Sequence, residues 1–132
     1  MRVLLFPGDE GVDLSGSAAA LLELALALDA GTGRATAAPS PGPRFGGIEL
    51  TSVEVLSGRG PGVHIGVDPE RGALLIEGDR PGLGALAGEL RSTASMDDGG
   101  HQHIEYHPDH HYLAAESLPL VVNSPHGGVP SR

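Results

Sequence analysis

The chain has 132 residues, with 39 % apolar but only 3 % aromatic side chains, so one modest core of Leu, Val, Ile and Ala is expected. It contains no Cys, which excludes disulfides, thiolate metal sites and Cys nucleophiles. A formal charge of −9 disfavours nucleic-acid binding, where phosphate neutralisation supplies most of the affinity, and suits either solubility or attraction to a basic partner. The basic residues are all Arg, a sign of codon usage rather than of chemistry.

In chain order, residues 2–6 (RVLLF) predict a strand, PGDEG a turn, and Val12 to Leu14 a returning strand. The opening apolar run is too short for a signal peptide, and the Ala/Leu stretch at 18–28 is too short to span a bilayer. A soluble, intracellular, cytoplasmic protein with no membrane partner is the expectation. Ser17 predicts an N-cap for AAALLELALALDA, with Leu21, Leu24 and Leu28 on one stripe. Leu22 and Leu26 form a second stripe, so the helix is expected to be buried on both, and Gly31 and Gly33 should end it. Residues 32–46, rich in Pro, Ala and Gly, read as a mobile loop. Residues 47–58 (GIELTSVEVLSG) alternate and predict one strand, with a bulge between Leu50 and Val53.

The next segment repeats the opening order of strand, Pro-containing turn, strand, cap and helix. At a shift of about sixty residues, Val3 meets Ile65, Leu5 meets Val67, Pro7 meets Pro69 and Leu14 meets Ile76. Leu21, Leu24 and Leu28 approximately meet Leu83, Leu86 and Leu90, with Asp79 as cap and Pro81 in the first turn. The predicted fold is α+β: an antiparallel sheet of two strand-strand-helix pseudo-repeats and a C-terminal hairpin, with both helices on one face. Residues 1–122 form one domain in this reading, and 123–132 a flexible tail.

Five of the seven His fall in residues 99–113, GGHQHIEYHPDHHYL. In an extended strand Ile104 and Tyr106 would face the core, while His101, His103, Glu105 and His107 share the other face. His110 and His111 lie just past the turn. Imidazoles two apart on a strand can aim at one ion, so these six residues form a candidate metal set for Zn²⁺, Fe²⁺ or Cu²⁺. The alternative is a solvent-facing polar strand that contacts a protein, using His101, His103, Glu105, His107, Asp109, His110 and Tyr112. Tyr112 is also expected to reach partly into the core.

Other signals carry little chemistry. Asp9, Glu10, Asp13, Asp68 and Glu70 are expected at solvated hairpin turns, and Ser15, Ser17 and Ser117 lack the neighbours of an activated nucleophile. The glycines of GDRPGLGALAGEL serve capping and packing, since no dinucleotide fingerprint or P-loop Lys accompanies them. DHH alone, in a chain this short, does not make a phosphoesterase.

Residues 100–122 resemble the pattern His-x-His-x-acidic-Tyr-x-Pro-x-His, followed by an aromatic-Leu pair, a Ser and a PLVV-type strand. This is similar to the immunity protein 32 family of bacterial polymorphic toxin systems, whose beginnings also resemble RVLLFPGDEGVDLSGSAAALLELA, so that the resemblance spans most of the chain and is sharp over residues 100–122. His101, His103, Glu105, Tyr106, Pro108, His110, Leu113, Ser117, Pro119 and Leu120 carry the resemblance; His107 and His111 are additional. It implies a non-enzymatic binding protein that neutralises a cognate toxin by covering its active surface. The competing expectation is a small metalloprotein, an enzyme or a carrier, built on the His-x-His-x-Glu-x-His strand. Sheet edges also allow a homo-oligomer.

Overall fold

The computed structural model describes residues 1–8, 10–38, 46–96 and 99–125. Among them are two helices and nine strands: β1 (Arg2–Phe6), β2 (Gly11–Ser15), α1 (Ala18–Ala30), β3 (Gly33–Thr36), β4 (Ile48–Leu50), β5 (Ser52–Ser57), β6 (Val63–Asp68), β7 (Ala73–Gly78), α2 (Arg80–Ala94), β8 (His101–Ile104) and β9 (Leu120–Asn123). The class is α+β.

The strands form two mixed sheets rather than one antiparallel sheet. The first has the order β4-β1-β2-β9-β8, the second β3-β5-β7-β6. Two antiparallel hairpins seed them, with Val3 opposite Leu14 in β1–β2 and Ile65 opposite Ile76 in β6–β7. The hairpins do not pair with each other. Instead the second strand of each takes a parallel neighbour, β9 on β2 and β5 on β7. Each helix carries the chain from one sheet to the other: α1 runs from β2 to β3, and α2 from β7 to β8. Residues alternating with period 2 declare that a strand exists but not which strand it joins.

Both caps follow the chemistry expected of them. The Ser17 hydroxyl accepts from the Ala20 N–H, and Gly31 closes α1 in the left-handed region at φ 76°. Asp79 accepts from Gly82 N–H (2.8 Å) and also from Gly62 N–H (3.0 Å), so it ties the start of α2 to the loop before β6. These two bonds hold its carboxyl below the ordinary carboxylate range. Pro81 sits in the first turn of α2, where no intrahelical N–H is needed.

One buried cluster joins both sheets and both helices: Val3, Leu14, Leu21, Leu24, Leu28, Val53, Ile65, Ile76, Leu83, Leu86, Leu90 and Val122 are among its members. The two helices pack on each other. The second stripe of α1 stays outside, with Leu22 43 % and Leu26 65 % exposed. A helix of 13 residues with apolar side chains all round can bury only the faces its neighbours reach.

Four further expectations change. The single strand expected at 47–58 breaks at Thr51 into β4 and β5, which belong to different sheets. There the Thr51 N–H donates to Gly72 O (2.7 Å) and Thr51 O accepts from Ala37 N–H (2.9 Å). Within the expected 32–46 loop, Gly33–Thr36 form the edge strand β3 against β5, and Ala37 is buried; residues 39–45 lie outside the described residues. Asn123, expected in the tail, ends β9, and Ser124 is buried, while 126–132 lie outside the described residues. Asp13 lies within β2 at 2 % exposure rather than in a solvated turn. Asp9 is outside the described residues.

Candidate functional site

Strand β8 lies at the edge of the first sheet, antiparallel to β9. Its two faces differ sharply. Gln102 and Ile104 face the helix layer: Thr93 of α2 donates its hydroxyl to Gln102 Oε1, and Ile104 is 2 % exposed. His101 and His103 therefore project from the opposite face, and both are exposed. Their rings meet edge to face with centroids 4.8 Å apart. Across the ladder, His101 opposes Asn123 and His103 opposes Val121. Asn123 is buried; its amide N–H donates to Leu14 O (3.3 Å), and its Oδ1 has no partner among the described residues.

The strand ends at Ile104, so the alternation expected through His107 stops there. Glu105, Tyr106 and His107 continue without strand pairing, and all three are exposed. Tyr106 was expected in the core with Ile104; it is 39 % exposed instead. Pro108 and Asp109 form an exposed turn.

His110 begins a different structure. Its Nδ1 accepts from the backbone N–H of Leu113 (3.1 Å) and of Tyr112 (3.3 Å), so the imidazole works as a turn cap. His107 and His111 lie beside its ring, at 5.2 and 5.4 Å between centroids. Partial burial, then the neighbouring His107 and His111, push its pKa below the ordinary 6.5. The folded chain thus refuses a proton that the unfolded chain accepts. Stability is full above pH 6.5 and is lost as pH falls from there through the lower folded value. A urea titration at pH 7.5 and pH 5 should show this loss in the native chain. The His110→Asn variant, whose amide oxygen can accept the same N–H groups, should lose less; equal losses would assign the effect to other groups.

Tyr112, expected to reach partly into the core and also a candidate for the contact surface, is buried. It is 5 % exposed, and its hydroxyl donates to the Glu89 carboxylate of α2. Burial first, then that carboxylate, push the phenol well above its ordinary range. The ring is a support beneath the turn.

From Tyr112 the chain runs along the open edge of β6. Val63 N–H donates to Tyr112 O (2.6 Å), Ala114 N–H to Val63 O (2.7 Å) and Leu118 N–H to Ile65 O (2.9 Å). Ser117 completes the seal, accepting from Ile65 N–H and donating to Val63 O. Its hydroxyl is committed to that edge.

The six-residue ligand set does not assemble within one chain. Among the described residues no three His, Asp or Glu side chains are arranged to hold a metal ion. His101 and His103 form one group, His107, His110 and His111 another, and the capping bonds occupy His110 Nδ1.

The residues that carry the family pattern now sort by environment. Leu113 and Leu120 are buried, and His110, Ser117 and Pro119 are held by backbone hydrogen bonds. His101, His103, Glu105, Tyr106 and Pro108 are exposed along one continuous stretch. Sequence reasoning missed two nearby groups. Asn123 was assigned to the tail, and no local signal announced Glu89 as the partner of Tyr112.

No helix among the described residues is long and apolar enough to cross a membrane. No curated protein and no solved structure matches the chain. Residues 73–125, from the start of β7 to just past β9, match the family model described as Immunity protein 32, the family whose pattern residues 100–122 resemble.

Proposed function

We propose that this chain is an immunity-type binding protein that neutralises a bacterial toxin in the cytoplasm, without chemistry of its own, by covering the toxin's active surface. The carrying observation is the division just described: in a segment that matches Immunity protein 32, the exposed pattern side chains make no hydrogen bond or ion pair among the described residues, and His101 and His103 touch only through their rings. His101, His103, Glu105 and Tyr106, with His107 and Asp109 beside them, form the contact surface. Tyr106 is its anchor, because a half-exposed aromatic ring gives a large contact area at small entropic cost. The charge of −9 favours a basic toxin through faster encounter.

Co-expression with a toxin domain encoded beside this chain tests the reading. The native chain should restore growth, and Tyr106→Ala should weaken toxin binding by about tenfold or more with the melting temperature unchanged. Unchanged affinity for Tyr106→Ala together with His103→Ala would move the contact surface elsewhere. Failure of the native chain to protect against any such toxin would remove the immunity reading.

A further inference from the structure

Two independent features coincide at His101 and His103. The first is the spacing of their rings. An imidazole nitrogen about 2.1 Å from Zn²⁺ places its ring centroid roughly 3.2 Å from the ion. Two such rings on one ion have centroids about 4.5 Å apart at a right angle and about 5.2 Å apart at the tetrahedral angle. The observed 4.8 Å lies between these values, with the ring planes at 76°. Asn123, across from His101, offers a buried Oδ1 that no described group uses, and a metal-bound imidazole needs an acceptor for its second N–H.

The second feature is the backbone of the same two residues. Ser124 N–H donates to Gly100 O, so the hydrogen-bonded pairs of this antiparallel ladder are Gly100 with Ser124, Gln102 with Val122 and Ile104 with Leu120. His101 and His103 therefore direct their N–H and C=O groups at the outer edge, which no described strand pairs.

We propose that β8 of two copies pairs edge to edge, antiparallel about Gln102, and that the pair shares one Zn²⁺-class ion held by His101 and His103 of each copy. In that register His101 faces His103 of the second copy across a hydrogen-bonded pair, with Cα atoms about 5.5 Å apart. All four imidazoles then lie on the face turned away from α2. One chain supplies two ligands and a structural zinc takes four, so the site is incomplete without the second copy. The outward groups are self-complementary, as a two-fold interface requires. Two chains of charge −9 repel each other, so pairing depends on the cation. The inference needs no toxin. Where both hold, the paired form withholds His101 and His103 from the toxin.

The test uses the full chain, freed of metal by a chelator and titrated with zinc chloride under calorimetry and light scattering. The expected result is one Zn²⁺ per two chains, a doubled mass, and reversal by chelator. Amide exchange should slow at His101 and His103 and stay unchanged at Gln102. The His101→Ala/His103→Ala variant changes only exposed side chains; it should melt like the native chain and lose zinc affinity at least tenfold, together with the mass change. One Zn²⁺ per chain without a mass change would overturn the shared site. So would absence of zinc binding, or pairing that persists in the variant.

Discussion

Gly11→Ala is expected to destabilise the fold by about 3 kcal/mol, a large share of a small domain's stability. Gly11 opens β2 at φ 109°, where side chains are strained. A Cβ there would also run into the carbonyl oxygen of Pro119. That same oxygen accepts from Val12 N–H at 2.8 Å and begins the parallel pairing of β2 with β9. The substitution therefore forces β9 away from the strand that places it. Gly8 is a built-in comparison, with φ 76° but open space around a Cβ. Gly8→Ala should cost only about 1 kcal/mol from backbone strain. Urea unfolding of both variants measures the difference, and amide exchange at Val12 should rise in Gly11→Ala alone. Equal destabilisation by the two would show that the collision with Pro119 is not the cause.

Tyr112→Ala is the second large effect, expected at about 3 kcal/mol. The variant loses a buried aromatic ring and leaves the Glu89 carboxylate without its donor. It also loosens the turn in which Tyr112 O accepts from Val63 N–H, so protection of the β6 edge should fall. Tyr112→Phe keeps the ring and removes only the hydroxyl, for about 1 kcal/mol. Tyr106→Ala, two turns of chain away and exposed, should leave the unfolding midpoint where it is. The contrast matters for function. Loss of toxin binding in Tyr112→Ala would follow from a misplaced surface, whereas loss in Tyr106→Ala would report contact. Urea midpoints of the three variants, measured beside toxin affinity, separate the two causes. A stable Tyr112→Ala would mean that the ring does not support the turn.

Local chemistry was readable from the residues, and partnership was not. Ser17, Asp79 and Pro81 announce helix starts because a cap is decided within four residues. The hairpins β1–β2 and β6–β7 are readable for the same reason, since a short turn fixes the pairing. The change of parity between Leu50 and Val53 marks a break at Thr51, but a bulge within one strand and a passage to a second sheet give the same pattern. Leu26 illustrates the converse. An apolar side chain on a helix signals burial only if a neighbour arrives, and among the described residues none covers Leu26. At the site, His101 and His103 were placed on one exposed face by strand periodicity alone. The strand's early end at Ile104 exposed Tyr106, and the capping role of His110 depends on a turn that periodicity does not describe.

The exchange of strands between the two sheets also sets when this protein can become itself. The first sheet includes β1 at residues 2–6, yet its β8 and β9 come from residues 101–123. A growing chain emerging from the ribosome holds a hairpin and a helix whose remaining strands have not been made. Neither half holds a complete sheet by itself, because each sheet is finished by strands from the other half. The stretch with the exposed histidines follows both hairpins and both helices in the chain, and β8 and β9 complete the first sheet. The exposed face of β8 therefore takes its place only after both hairpins and both helices have been made, and a chain that stops short of β9 has no partner strand to hold it.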